Sequence, residues 1–250
     1  MSDKSEREEA LVRTEMLLGH TAMERLQSSH VAVFGLGGVG GYAAEALLRS
    51  GIGELTLVDS DTVSVSNLNR QIAALRSTVG QPKAEALAAR FRDIRPEAVL
   101  HPMEQRYEAE SRELFFAHRF DYIVDAIDLV SCKLDLIETA YLRKIPLLSA
   151  MGTGNKRDPS QLRIGDISET YGCPLARVMR RELRRRGITR QRVLYSPEPA
   201  GTPFFTETPP PGRRSVPSSA VWVTGCAGLM MAGEVVRCLT EGITEEPVSR

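Results

Sequence analysis

The chain has 250 residues and balances 32 basic against 32 acidic side chains, so its net charge singles out no class of partner. That length suits one large domain, or a domain with an appended lobe, and needs no covalent staples. Four cysteines without a CxxC pair argue against a structural zinc site of the usual kind, and no histidine pair has metal-ligand spacing. Sparse cysteines and a charged N-terminus without an apolar run predict a cytoplasmic protein.

Residues 1 to about 10 are polar and predict a frayed end. From Arg13 to Leu26, the apolar positions Leu17, Leu18, Met23 and Leu26 predict one or two short helices around Gly19. Val31 to Phe34 is a buried strand. Gly35-Leu36-Gly37-Gly38-Val39-Gly40 is a glycine turn, and a helix follows to about Ser50. A second strand, Leu55 to Val58, ends on Asp59. This is half of a mononucleotide-binding unit, with glycines where backbone must approach phosphate and an acid placed for ribose hydroxyls.

Ser64 to Arg76 reads as a polar loop leading into a helical turn. Pro82 opens a helix to about Arg92, with Ala84, Leu87, Ala88 and Phe91 on one face. Val99 to Met103 is an edge strand, and Glu110 to His118 is helical. Tyr122 to Val124 is a strand ending on Asp125, with Asp128 just beyond. Ser131 to Arg143 is a helix, Ile145 to Ser149 a strand, and Met151 to Asn155 a glycine-bearing loop. The alternation over residues 30 to 150 predicts an α/β fold with a doubly wound, mostly parallel, Rossmann-like sheet.

The last hundred residues break that rhythm. Gln161 to Ile167 alternates like an exposed strand. Pro174 to Arg186 is a helix with Leu175, Val178, Met179 and Leu183 on its apolar face. Val193 to Tyr195 is a short strand. Ser196 to Ser218 carries seven prolines and predicts a mobile crossover loop. Ala220 to Leu239 is a helix rich in small residues. Its Glu234 and Arg237 would be expensive in hydrocarbon, which predicts a buried helix and no membrane partner.

Four residues after Asp59 distinguish an ATP site from a nicotinamide site: Asn67, Arg70, Gln71 and Lys83. Two cations beside a phosphate cradle can offset charge building on a leaving pyrophosphate. Taken singly, Arg70 or Lys83 would be an ordinary surface charge. Asp125 and Asp128 lie past the C-terminal end of a central strand, where open α/β sheets bind ligands, and a carboxylate facing a triphosphate there suits Mg²⁺. Asp128 alone could equally cap the next helix.

In order and spacing, Gly35-x-Gly37-Gly38-Val39-Gly40, Asp59-x-Asp61, Ser66-Asn67-Leu68-Asn69-Arg70-Gln71, Gly80-x-x-Lys83 and Asp125-Ala126-x-Asp128 resemble the ubiquitin-activating-like superfamily, whose members adenylate carboxylates. The resemblance assigns Asp59 to ribose, Asn67, Arg70, Gln71 and Lys83 to the triphosphate, and Asp128 to Mg²⁺. Arg13 resembles an arginine that such dimers insert into the partner's ATP site; its alternative is a surface charge. Gly152-x-Gly154-x-x-x-Asp158-Pro159-Ser160-Gln161 followed by Cys173-Pro174-Leu175-Ala176 is similar to the tRNA threonylcarbamoyladenosine dehydratase family. That family activates the threonylcarbamoyl carboxylate on the adenosine next to the anticodon, then cyclises it. Cys173 departs from an acidic residue found in some relatives, and the long apolar C-terminal anchor of some relatives is missing.

The resemblance implies one domain over residues 1–250, with an ATP-binding core at 28–155 and a substrate and dimerisation part at 156–250. It implies ATP and Mg²⁺ as cofactors, a homodimer, and tRNA as partner. A cysteine desulfurase or sulfur-carrier protein is a further partner it leaves open. Eight arginines between Arg177 and Arg192 make a local positive patch, with Arg177, Arg180, Arg181, Arg184 and Arg185 placed for anticodon-arm phosphates. The alternative is the solvated face of an amphipathic helix. By pattern Cys173 is exposed enough to react; Cys132 sits where a helix start could favour its thiolate, the alternative being a buried thiol; Cys226 and Cys238 read as small core residues. Two other functions stay open: an adenylyltransferase for the C-terminal glycine of a ubiquitin-like carrier, and a nicotinamide oxidoreductase or non-catalytic nucleotide sensor.

Overall fold

A seven-stranded sheet organises the computed structural model, which describes residues 2–205 and 217–243, with side chains from residue 9 onward. The chain runs α1 (Ser2–Leu18), α2 (His20–Gln27), β1 (His30–Phe34), α3 (Gly40–Arg49), β2 (Glu54–Val58), α4 (Lys83–Ile94) and β3 (Val99–Met103). It continues α5 (Arg112–Phe115), β4 (Tyr122–Asp125), α6 (Val130–Leu142), β5 (Leu147–Ala150), β6 (Arg163–Asp166), α7 (Pro174–Arg185), β7 (Arg192–Tyr195) and α8 (Val221–Leu239). The strand order is β3-β2-β1-β4-β5-β7-β6, parallel throughout except for the antiparallel β6–β7 pair. Every residue of β1 is buried, as expected for a central parallel strand covered on both faces.

Helix α8 packs on α3 through its small residues. A Cβ on Gly228 would stand 2.4 Å from the Val39 carbonyl oxygen and 2.8 Å from Ala43 N, so only glycine permits this approach. By length and composition α8 could cross a membrane, yet half of it is buried inside the protein. Its Glu234 is paired with Arg192 at 2.7 Å and Arg237 at 3.0 Å. The expected buried helix is therefore found.

Four expectations need correction. The N-terminus is not frayed backbone: α1 begins at Ser2, because its Glu, Lys, Arg and Ala residues are strong helix formers. The helix expected over Glu110–His118 shrinks to a 3₁₀ turn at Ala109–Ser111 and four residues of α5. Burying Phe115, its neighbour Phe116 and Phe120 together requires the chain to turn out of the helix. β5 begins at Leu147 rather than Ile145, because Ile145 N–H caps α6 on the Ala140 carbonyl at 2.9 Å, after Lys144 in the left-handed region at φ 57°. Cys173 is buried at 4% exposure, since it starts α7 against the core, and so is not a reactive surface thiol.

Candidate active site

The strand order reverses direction between β1 and β4, and their C-terminal ends meet there. Gly35 follows β1 with φ +87°, and a Cβ on it would lie 2.6 Å from the Ala126 carbonyl oxygen beyond β4. Gly40 is equally constrained: its Cβ would be 1.7 Å from the Gly35 carbonyl oxygen, so the turn can fold back onto α3 only as glycine. Gly38 faces Thr224 of α8, whose Oγ1 would be 2.9 Å from an added Cβ. Gly37 differs from all three. Its nearest neighbour would be the Gln71 amide nitrogen at 3.8 Å, so the fold leaves room at this glycine.

Asp59 closes the turn from the β2 side. Its carboxylate accepts from Leu36 N at 2.7 Å and Asp61 N at 2.8 Å. A carboxylate has about four lone-pair positions, so capacity remains for ribose hydroxyls. Lys83, at the start of α4, is only 5% exposed; its Nζ lies 2.8 Å from Asp61 Oδ2 and 3.8 Å from Asp59 Oδ1. The three groups form one cluster beside the glycine turn.

The segment between them is a set of tight turns. Ser64 and Asn67 form a capping box, in which Asn67 Oδ1 accepts Ser64 N–H at 3.1 Å. Asn67 is thus partly spent on holding its own loop. Gln71 is buried and its Oε1 has no hydrogen-bond partner, an unmet demand next to Gly37. Arg70 Nη1 donates to the Ser66 carbonyl and to Asn69 Oδ1, both at 2.9 Å. Asn69 Nδ2 in turn donates to the Ser219 carbonyl at 3.0 Å, tying this segment to the approach to α8.

At the C-terminal end of β4 the two acids part company. Asp128 is exposed on the loop, where a cation could meet it. Asp125 is wholly buried: its Oδ2 accepts from Lys133 Nζ at 2.7 Å and Ser149 Oγ at 2.6 Å, and its Oδ1 from Ile127 N at 3.1 Å. Burial pushes the Lys133 pKa down, and Asp125 opposes that shift. Asp125 therefore shapes the loop that carries Asp128 from beneath. Lys133 and Ser149 were not anticipated from the sequence, where each reads as an ordinary helix or strand residue.

Asn155 was likewise unforeseen. In the left-handed region at φ 58°, it holds both ends of the crossover. Gly201 N–H donates to its carbonyl at 2.8 Å; Ser218 N–H donates to its Oδ1 and its own N–H donates to the Ser218 carbonyl, both at 2.8 Å. The middle of the expected crossover loop, 206–216, lies outside the described residues.

Arg13 is exposed on α1, away from this cluster. Its neighbour Leu11 packs beside Gly51, past the far end of α3, about 15 Å from the glycine turn. On α7, Arg177, Arg181, Arg184 and Arg185 are exposed. Arg181 and Arg185 share Glu182, at 2.9 and 3.0 Å. Arg180 points the other way, donating to the Thr170 carbonyl and Oγ1 at 2.7 Å, and so braces the fold. Cys132 is buried, and desolvation raises its thiol pKa, which fits the buried thiol and not the thiolate.

The sequence profile of the ThiF family matches residues 11–250. The tRNA threonylcarbamoyladenosine dehydratase of Bacillus subtilis (strain 168) is 42% identical over 243 residues, which is 92% of this chain and 94% of that one. The crystal structure of Escherichia coli tRNA N6-threonylcarbamoyladenosine dehydratase, TcdA, in complex with ATP is similar at a TM-score of 0.84 and 33% identity, covering 93% of this chain and 94% of that one. The molybdopterin-synthase adenylyltransferase of Salmonella typhimurium (strain LT2) is 39% identical over 126 residues, half of each chain.

Proposed function

The chain belongs to the ThiF family, and on that premise we propose that it is an ATP-dependent tRNA threonylcarbamoyladenosine dehydratase. It activates the carboxylate of the modified adenosine as an acyl-adenylate and drives cyclising dehydration. The observation that carries this reading is full-length similarity to dehydratases of that name, joined to the cluster of Asp59, Lys83 and Gln71 around Gly37. The carrier-protein adenylyltransferase has weaker support, since that likeness spans half the chain.

A carboxylate is a poor electrophile because its leaving group would be oxide. Attack of its oxygen on the α-phosphorus of ATP forms the mixed anhydride and expels pyrophosphate. An atom of the same threonylcarbamoyl group then attacks the carbonyl carbon and AMP leaves, carrying the original carboxylate oxygen. The net loss from the nucleoside is one water. Catalysis is positioning plus electrostatics. In this reading Gly35, Gly37, Gly38 and Gly40 cradle phosphate at the start of α3, Asp59 and Asp61 hold the ribose side, and the Gln71 amide turns its unmet oxygen to a donor. Arg70 and Lys83 leave their present partners to neutralise the departing pyrophosphate, as Asn67 orients the phosphates. The exposed Asp128 carboxylate fits Mg²⁺, which when bound would offset triphosphate charge.

Residues 28–155 serve as the ATP-binding core and 156–250 as the part that meets substrate and partner. A homodimer is supported by apolar side chains left on the surface of α1, Met16 at 79% and Leu17 at 81% exposure. Arg13, exposed on α1 towards the far end of α3 from the glycine turn, is assigned to the partner's site in trans. Arg177, Arg181, Arg184 and Arg185 face the tRNA anticodon arm, with Arg180 bracing them. The test is pyrophosphate release by the purified chain with ATP. Dependence on tRNA bearing threonylcarbamoyladenosine supports the reading, and dependence on a carrier protein ending in Gly-Gly overturns it.

A further inference from the structure

Three of the chain's four histidines come together at the N-terminal edge of the sheet, the edge opposite the glycine turn. His30 opens β1 and Glu54 opens β2, side by side in the parallel register. His101 lies on β3, opposite Thr56 of β2. His101 Nε2 is 2.7 Å from Glu54 Oε1, and His30 Nδ1 is 3.4 Å from the same oxygen. One donor atom from each of the three residues falls within 4.8 Å of the others. The ring of His118, just before β4, stacks on His101 with centroids 5.3 Å apart.

The details go beyond a chance meeting of polar groups. The other ring nitrogen of His30, Nε2, is 2.8 Å from Thr56 Oγ1. That contact fixes the ring and leaves Nδ1 turned to Glu54, the orientation an outer partner gives to a metal-bound imidazole. Phe120 packs edge-on against His30 at 4.9 Å and gives one side of the group an apolar wall. His30 is buried, whereas His101 and Glu54 are about one-third exposed, so an ion has an open path. Tetrahedral Zn²⁺ with bonds of about 2.0–2.1 Å sets its ligand atoms about 3.3 Å apart. The His30–Glu54 distance already matches, and the His101–Glu54 pair needs to open by about 0.6 Å, which side chains one-third exposed can do.

We propose that His30, Glu54 and His101 form a Zn²⁺ site, with water in the fourth position. Two imidazoles and a carboxylate suit Zn²⁺ far better than Mg²⁺, which favours oxygen donors alone. The site clips the edge strand β3 and the central strand β1 to β2. It is separate from the nucleotide cluster, because β1 alone sets the two edges about 13 Å apart. It is a structural site, not a participant in acyl transfer.

The test is calorimetric titration of the chelator-treated full chain with ZnCl₂ in the absence of nucleotide, with thermal melting alongside. The native chain is expected to take up one equivalent and to melt at higher temperature with the ion bound. His101→Ala and Glu54→Gln are each expected to bind at least tenfold more weakly and to lose the melting shift. Both are mild changes at partly exposed positions, and circular dichroism confirms their fold. A Co²⁺ titration adds the visible absorption of a tetrahedral ion, expected in the native chain and lost in both variants. No stoichiometric uptake by the native chain, or equal uptake in both variants, would overturn the proposal and leave the three residues a hydrogen-bonded cluster only.

Discussion

Lys133 Nζ lies 2.7 Å from Asp125 Oδ2, and neither side chain is exposed to solvent at all. Ser149 completes the group by donating its hydroxyl to the same oxygen. Lys133→Met would leave Asp125 charged and buried without its cation. The expected loss is about 3–5 kcal/mol of unfolding free energy, read by urea denaturation. Replacing both members, Lys133→Met with Asp125→Leu, should recover much of that loss, because a well-packed apolar pair has no charge to desolvate. A single variant as stable as the native chain would contradict this account of the loop beneath Asp128.

The glycines of the turn divide into two kinds. At Gly40 an added Cβ would be 1.7 Å from backbone, whereas at Gly37 nothing stands closer than 3.8 Å. Gly40→Ala should therefore fail to fold or melt far lower. Gly37→Ala should melt within a few degrees of the native chain yet bind ATP at least tenfold more weakly. Thermal melting with and without ATP checks both halves. Undiminished ATP binding by Gly37→Ala would show that the space at Gly37 does not face phosphate.

Glu234 carries a pH signature. Its hydrogen bond from Arg237, and that from Arg192 against the cost of burial, hold its carboxyl below the usual range. A carboxylate with a lowered folded value contributes stability above its unfolded value, about pH 4.3, and loses it as pH falls through the lower folded value. Glu234→Gln should cost about 1 kcal/mol near neutral pH. The gap from the native chain should close as the medium is acidified below that window. A gap that stays constant down to the acid limb would mean the ion pairs are not its source.

Arg180 and its neighbours on α7 should respond differently to substitution. Arg181→Glu, Arg184→Glu and Arg185→Glu together should raise the apparent tRNA constant steeply. They should also flatten its salt dependence by about 0.7–0.9 in log–log slope for each phosphate no longer neutralised. Arg180→Ala should instead lower the melting temperature, because its guanidinium is committed to Thr170. Unchanged tRNA binding in the triple variant would make the patch a solvated face.

Much of the fold was legible because it follows local rules. The strand–turn–helix from His30 to Arg49 and the acid after β2 are set by hydrophobic runs and by glycines with a steric reason. The features that were not legible depend on residues distant in sequence that share no local pattern. Lys133 reads as a solvent-facing helix residue until β5 brings Ser149 beside Asp125. Asn155 reads as loop filler until Gly201 and Ser218 converge on it. His30 and His101 are 71 positions apart in number, and only the parallel register of β1, β2 and β3 makes them neighbours. Cys173 looked exposed beside a proline, but Pro174 starts a helix that turns the thiol inward.

Activation of a carboxylate on tRNA by the proposed Lys83 and Asp59 cluster is read out most directly by mass spectrometry of nucleosides from tRNA bearing threonylcarbamoyladenosine, after incubation with the purified chain, ATP and Mg²⁺. The native chain is expected to convert the modified nucleoside to a product lighter by one water, only when ATP is present. Lys83→Ala is expected to remain folded and leave the nucleoside unchanged. An unchanged nucleoside with the native chain, or full conversion by Lys83→Ala, would contradict the account.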